Sequence, residues 1–345
     1  MTRTCWTPGR VNLMGEWVDF NGGLVLPAAL PLGVTVSLAP SDSDQDLVTS
    51  AQFTDAVRAP LDQMAKRSWA DYVLGALQLA RQKRWLDTAM RVHLDSDIPP
   101  GAGVSSSAAV TVGVLKAAAP AGTDLTEIAR LARSVENDYI GVPCGIMDQM
   151  AVAHAEPGEA IALDTDSLTF KRLPIPQGWR LCVIHSGVER QLADGQYKQR
   201  RDACLQAARH LGLDALCHAK DLSTLPPDLY PIARHVVSEE TRTRTALEAW
   251  RAGDGTTFGA CMTGTHISLR DDFRVSTADV DALVDTALDL GVAGARITGA
   301  GFGGCIVAVV TQDTPLDWKD DLLARHPAAR WICDIDPVVV TTEAS

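Results

Sequence analysis

Two periods of apolar residues run through the chain, and the change from one to the other marks its elements. "LVLPAALPLGVTVSLAP" (24–40) and "RVHLDSDI" (91–98) have strand character. "DLTEIARLARSVENDYI" (124–140) instead repeats its apolar residues at helical spacing behind an Asp124/Glu127 capping box, which predicts one helix through Ile140. After the Pro-rich "RLPIPQGW" (172–179) the pattern gives a strand, "RLCVIHS", and a long helix, "ADGQYKQRRDACLQAARHLG", stopped by Gly212. Two further helices are predicted: "SEETRTRTALEAWRAG", capped by Ser238 and ended by Gly253, and "STADVDALVDTALDLG", capped by Ser276. A strand pair flanks the glycine cluster near 300. This order is α+β, without the strict βα alternation of a doubly wound nucleotide fold.

Length and composition narrow the class. A chain of 345 residues with 46% apolar and 21% charged residues exceeds what one core usually serves, and two domains are expected, 1–172 and 173–345. The net charge of -12 disfavours nucleic acid and anionic membrane surfaces, which recruit positive faces. Eight cysteines are scattered without a CxxC, a pattern that suits a reducing cytoplasm. No secretory signal opens the chain and no apolar run reaches about 18 residues, so a cytoplasmic protein is expected.

Three glycine-bearing segments carry candidate chemistry. In "PPGAGVSSSAAVTVGVLKAAA" (99–119) a strand ends at Ile98, a glycine turn follows, and serines open an alanine-rich helix. Unpaired N–H groups and the positive end of the helix dipole make this an anion site, although the same residues also suit a turn and an N-cap. It is not the lysine-containing phosphate loop, since no lysine precedes the serines. "ARITGAGFGGCIVAVV" (295–310) reads equally as a tight hairpin or as a loop packed against a backbone or ligand. "GVPCGIMDQM" (141–150), downstream of Glu136, offers Asp148 as a helix cap or a catalytic acid.

The order of GRVNL, PPGAGVSSSA and TGAGFGG resembles the GHMP kinase superfamily, and within it the galactokinase family. The likeness extends to "SWADYVLGAL" (68–77), "PCGIMDQ" (143–149), "SGVERQLADGQYKQRR" (186–201) and "HISLRDDFRVS" (266–276), so it covers nearly the whole chain. It implies the two-domain α+β GHMP kinase fold: a ribosomal protein S5 domain 2-like N-terminal domain, a ferredoxin-like C-terminal domain, and an active site in the cleft. It also implies ATP-dependent phosphorylation of the anomeric hydroxyl of galactose or a close relative. The partners implied are a small-molecule sugar and ATP, with neither nucleic acid nor membrane, in a monomer or weak homodimer.

By that resemblance Gly101, Ala102, Gly103, Val104, Ser105, Ser106 and Ser107 wrap the ATP phosphates. Ser107, with Ser106 beside it, lies near Mg²⁺, and Glu136 supplies the metal's carboxylate; a hard ion wants such oxygen ligands. Asp148 faces the anomeric hydroxyl as base, with Arg10 beside it to keep it ionised and to neutralise the γ-phosphoryl charge. Glu16 and Asp19 accept from sugar hydroxyls, Gly145 lines the pocket wall, and Tyr197 adds a phenol from the second domain.

The family signature Glu-His-Thr-Asp-Tyr is here Glu16-Trp17-Val18-Asp19-Phe20, and Ala300 stands where a third consecutive glycine is usual. Trp17 would fill volume toward C6 of the sugar, or point away and be absorbed by packing. An anomeric kinase for a pentose, a 6-deoxy sugar, a uronic acid or an amino sugar is therefore the rival reading. A non-catalytic sugar and nucleotide sensor on the same fold is disfavoured by the intact serines, Asp148 and Arg10.

Overall fold

The computed structural model describes residues 2–189 and 193–338. Arg190, Gln191 and Leu192, part of the segment 186–201 quoted above, lie outside the described residues. In chain order the strands are β1 (Arg3–Asn12), β2 (Leu24–Val25), β3 (Pro27–Pro40), β4 (Asp46–Ser50), β5 (Val57–Ala59) and β6 (Met90–Ser96), then β7 (Glu159–Asp164), β8 (Phe170–Pro174), β9 (Arg180–His185), β10 (Gly294–Ile297), β11 (Cys305–Val310) and β12 (Arg330–Ile335). The helices are α1 (Asp71–Gln82), α2 (Ser106–Ala118), α3 (Leu125–Ser134), α4 (Met147–His154) and α5 (Ala193–His210), then α6 (Tyr230–Ala252), α7 (Gly255–Asp271), α8 (Ala278–Asp289) and α9 (Trp318–Arg325). Two compact units divide the chain, and the chain passes between them several times.

The first unit comprises Met1–Arg10, Leu32–Pro100 and Val104–Ala155. Its sheet runs β3-β6-β4-β5 with β1 on β3; β3 and β6 pair antiparallel from Val34↔Ser96 to Pro40↔Met90, and β4 runs parallel to β6. Helices α1 to α4 belong to this unit. Gly75 lets α1 approach closely, since a Cβ there would lie 2.7 Å from the Tyr139 ring. Thr7 of β1 donates its hydroxyl to the Ala109 carbonyl of α2 at 2.8 Å, tying sheet to helix.

The helix predicted over 124–140 is real but changes type. α3 ends at Ser134 and the backbone continues as a π-helix, Val135–Ile140, closed by Gly141 in the left-handed region. Asp124 caps through the Thr126 N–H, while Glu127 pairs with Lys83 at 2.6 Å, so the reciprocal half of the capping box does not form.

The second unit comprises Val11–Pro31, Gly101–Gly103 and Glu156–Ser345. Its antiparallel sheet has the order β10-β11-β9-β12, and a smaller ladder joins β2, β7 and β8. α7 lies against β10 where Gly259 meets Ala293 and Gly294; a Cβ on Gly259 would sit 1.9 Å from the Ala293 carbonyl oxygen. Trp179, Trp250 and Phe258 pack together with centroids 5.2–5.5 Å apart.

Two helix starts differ from the sequence expectation. α6 begins at Tyr230, eight residues before Ser238, because Pro231 falls in its first turn, where its missing N–H costs nothing. Ser238 sits inside that helix and donates to the His235 carbonyl. At α8 the cap is Thr277, whose hydroxyl accepts from the Val280 N–H; Ser276 bonds the Asp281 carboxylate instead.

Candidate active site

In the first unit, α4 begins at Met147 and places Asp148 in its first turn. Arg10, near the end of β1, closes on it as a fork: Nε donates to Oδ1 at 2.6 Å and Nη2 to Oδ2 at 2.5 Å. Arg10 is buried and the Asp148 side chain is 29% exposed, so the pair is shielded on the arginine side and open on the carboxylate side. Ser105 completes the cluster with an Oγ–H bond to Oδ2 at 2.5 Å.

Ser105 is the N-cap of α2, yet it is left-handed (φ 59°, ψ 48°) and its side chain makes no cap bond. The hydroxyl is spent on Asp148. The first turn of α2, which contains Ser106 and Ser107, therefore has no side-chain cap from Ser105, as an anion site requires. Gly145 is buried just ahead of α4. The flanking Cys144 N–H is held by Asn137 Oδ1 at 2.7 Å.

Glu136 lies on the π-helix and is buried. Its Oε1 accepts from Gln149 Nε2 at 2.8 Å, and the Gln149 side-chain Oε1 is buried without a hydrogen-bond partner. Burial first, and then the charge of Asp148, push the Glu136 carboxyl up to about 7 against the Gln149 bond and Arg10. A bound cation would favour the ionised form. No group of three or more His, Cys, Asp or Glu side chains placed to hold a metal occurs among the described residues. A carboxylate with serine hydroxyls still suits Mg²⁺, which takes few protein ligands and completes its shell with phosphates and water.

In the second unit, Gly101 and Gly103 both have positive φ, 74° and 72°, and a Cβ at Gly101 would meet nothing within 4 Å. The carbonyl of Ala102 between them accepts from the buried Cys305 thiol at 3.0 Å. The TGAGFGG loop is a close-packed turn: a Cβ on Gly301 would lie 2.5 Å from the Val275 carbonyl oxygen, and Phe302 N–H donates to that oxygen at 2.7 Å.

The opening segment forms a compact turn between β1 and β2. Glu16 is buried; its Oε2 accepts from Arg296 Nη2 and from the Gly299 N–H at 3.2 Å. Arg296 is itself fully buried and donates to the Leu13 carbonyl at 2.8 Å. Trp17 is 4% exposed and sits at φ 66°, a backbone that costs a bulky residue roughly 1–2 kcal/mol. Its ring stacks on Tyr197 (centroids 4.7 Å, 30°), leans on Phe273 (4.9 Å) and meets Phe20 edge-on (6.2 Å). Its Nε1–H has no hydrogen-bond partner. Asp19 is half-buried two residues on.

The structure thus brings Arg10, Asp148 and Ser105 together, with Glu136 held by Gln149, and it stacks Trp17 on Tyr197. Arg296, Glu239 and His235, which bond the Glu16 segment, were missed by sequence reasoning. Only Arg296 left a signal, a charge inside the apolar run "GARI" just ahead of TGAGFGG.

Comparison with known proteins gives the family. Residues 71–156 match the GHMP kinases N terminal domain, residues 245–324 the GHMP kinases C terminal, and residues 3–40 the galactokinase galactose-binding signature. A galactokinase of Chloroflexus aurantiacus is 41% identical over 90% of this chain and 85% of its own length. One from Pyrococcus furiosus is 35% identical over 94% of each. The crystal structure of Lactococcus lactis galactokinase complexed with galactose superposes with a TM-score of 0.90 at 28% identity, covering 97% of this chain and 94% of that one. Identity at this level, sustained along almost the whole length, means that the chain belongs to the galactokinase family of the GHMP kinases.

Proposed function

We propose that the protein is an ATP-dependent galactose 1-kinase, forming galactose 1-phosphate and ADP. The anomeric oxygen bonds to the γ-phosphorus as the bond from that phosphorus to the bridging oxygen breaks, and ADP leaves with the electron pair. The hydroxyl proton passes to Asp148. The observation that carries the reading is the Arg10–Asp148–Ser105 constellation, a carboxylate fixed by three charge-assisted hydrogen bonds on the first turn of a helix. Arg10 keeps a positive charge beside the reacting oxygen, and in phosphoryl transfer such positioning and neutralisation supply most of the catalysis.

Glu136 and Ser107 would hold Mg²⁺, with Ser106 beside them; when bound, the metal neutralises charge on the phosphates. The uncapped first turn of α2, with the loop 101–104 ahead of it, would cradle those phosphates. Glu16, Asp19 and Tyr197 would meet the sugar's hydroxyls and Gly145 the pocket wall. ATP as co-substrate and eight free cysteines favour the cytoplasm, and no helix among the described residues is long and apolar enough to cross a membrane.

One observation favours a wider substrate range: Trp17 replaces a polar residue of the family signature with a ring stacked on Tyr197. ADP release measured with galactose, L-arabinose, D-fucose and a uronic acid tests both readings. Turnover is expected to depend on sugar and to be highest with galactose. ATP turnover that no sugar stimulates would favour a sensor and overturn the kinase reading.

A further inference from the structure

α6 carries two fully buried polar side chains one helical turn apart, His235 and Glu239. Both bond the backbone of the turn that bears Glu16 and Trp17. Glu239 Oε1 accepts from the Gly15 N–H at 2.9 Å and from the Glu16 N–H at 3.1 Å. His235 Nε2 lies 3.1 Å from the Glu16 carbonyl oxygen. A carbonyl only accepts, so the imidazole proton is on Nε2, and Nδ1 accepts from the Ser268 hydroxyl at 2.9 Å. Glu16 is therefore tied to α6 through both its N–H and its C=O.

The carboxylate is in turn held in place. Its Oε2 accepts from Thr265 Oγ1 at 2.6 Å and from Arg242 Nε at 3.1 Å. Burial pushes the Glu239 carboxyl up, but Arg242 foremost among the neighbouring groups outweighs it, so the group stays below the ordinary range and is ionised. Two adjacent N–H groups facing one buried anion form a concave nest.

The turn needs such a hold. Gly15 has φ 84° and cannot carry a side chain, because a Cβ would lie 2.3 Å from the Leu24 carbonyl oxygen. Trp17 is left-handed as well, which a bulky residue adopts only where its surroundings over-determine it. Asn21 holds the Trp17 carbonyl at 2.7 Å, and α6 holds the residue before it.

We infer that Glu239 and His235 are positioning residues for the sugar: by fixing the Gly15–Trp17 turn they set where Glu16 and Trp17 present themselves, without touching sugar or ATP. The inference rests on the reading of residues 16–19 as the sugar motif. It separates the sugar from the nucleotide, because neither residue bonds the Asp148 cluster or the phosphate loop among the hydrogen bonds described above.

Steady-state kinetics of the full chain, varying galactose and ATP separately, tests it. Glu239→Ala leaves two buried N–H groups unpaired and is expected to raise the galactose KM about 10- to 100-fold with the ATP KM within about threefold. Glu239→Gln keeps an oxygen that accepts both N–H groups and is expected to bring the galactose KM back to within about fivefold of the unmodified protein. If Glu239→Ala does not fold, His235→Leu against His235→Gln makes the same comparison, since the glutamine amide still donates to the Glu16 carbonyl. Glu16→Gln is the control for the motif. A galactose KM unmoved in Glu16→Gln overturns the sugar-motif reading and the inference with it. A KM that moves in Glu16→Gln but not in Glu239→Ala or His235→Leu, or equal rises for galactose and ATP, overturns the inference alone.

Discussion

Arg10 and Asp148, 138 residues apart in sequence, meet as a two-pronged fork with both contacts between 2.5 and 2.6 Å. The guanidinium is planar and its two donors match the spacing of the carboxylate oxygens, so the pair fixes the orientation of the acid as well as its charge. Ser105 adds a third donor from the start of α2. Three donors thus orient the acid.

Asp148→Asn keeps the shape and removes the proton acceptor. Turnover is expected to fall by about 10² to 10⁴ while galactose and ATP still bind, as for loss of a general base. Ser105→Gly removes one charge-assisted bond and also relieves the left-handed backbone, so a fall of about tenfold in kcat is expected with unchanged folding. Isothermal titration with each ligand, beside single-turnover kinetics, checks both. Near-normal turnover by folded Asp148→Asn would sink the assignment of the base.

Loss of a hard oxygen ligand should appear as a metal requirement. Glu136→Gln and Ser107→Ala are each expected to raise the Mg²⁺ concentration for half-maximal rate by about tenfold or more. A Mg²⁺ titration at fixed ATP reads this directly, and identical curves for all three proteins would contradict the metal role.

The parts of this site that sequence disclosed were those whose chemistry is local. Asp148, the serines and the glycine turn sit in short motifs whose residue types already name a function. The π-helix at Glu136 did not show, because one extra residue per turn barely disturbs the apolar spacing of "IARLARSVENDYI" over six residues. Nor did Glu239, and Arg296 showed only as a charge in an apolar run; their partners in the sugar motif lie 223 and 280 residues away. Nothing in "SEETRT" or "GARI" says where such a charge is neutralised. The start of α6 differs for another reason: Ser238 suits a cap by residue type, whereas the helix begins eight residues earlier, where a proline fits its first turn.

Trp17 should broaden the choice of sugar. Its ring is taken up by Tyr197 and Phe273, and it offers no acceptor in place of the family's histidine. A site built to bond a hydroxyl rejects the analogue that lacks it by a large factor, so a site without that partner discriminates less. The ratio of kcat/KM for galactose to that for D-fucose or L-arabinose is expected to be smaller here than in a galactokinase with histidine at this position, and to rise in Trp17→His. Ratios unchanged by Trp17→His would make the tryptophan a packing residue only.

Buried His235 should cost stability in mild acid. Burial first, against the attraction of Glu239, lowers the His235 imidazole to about 4, from about 6.5 in the unfolded chain. Between those values the unfolded state binds the proton and the folded state does not. The contribution of His235 is therefore unaffected above about pH 7 and declines as pH falls toward 4, by about 1 kcal/mol at pH 5.5, while Glu136, raised to about 7, works in the opposite direction. Urea unfolding at pH 7.5 and 5.5 measures it, and His235→Gln should lose that share of the difference. An equal pH effect in both proteins would place the titrating group elsewhere.

The most direct test of the central claim is the identity of the product. ³¹P and ¹H NMR of a reaction containing galactose and MgATP should show one phosphorus coupled to the anomeric proton, formed in step with ADP and reduced to trace in Asp148→Asn. Phosphate on any other carbon, or ADP formed without a phosphorylated sugar, would contradict the account.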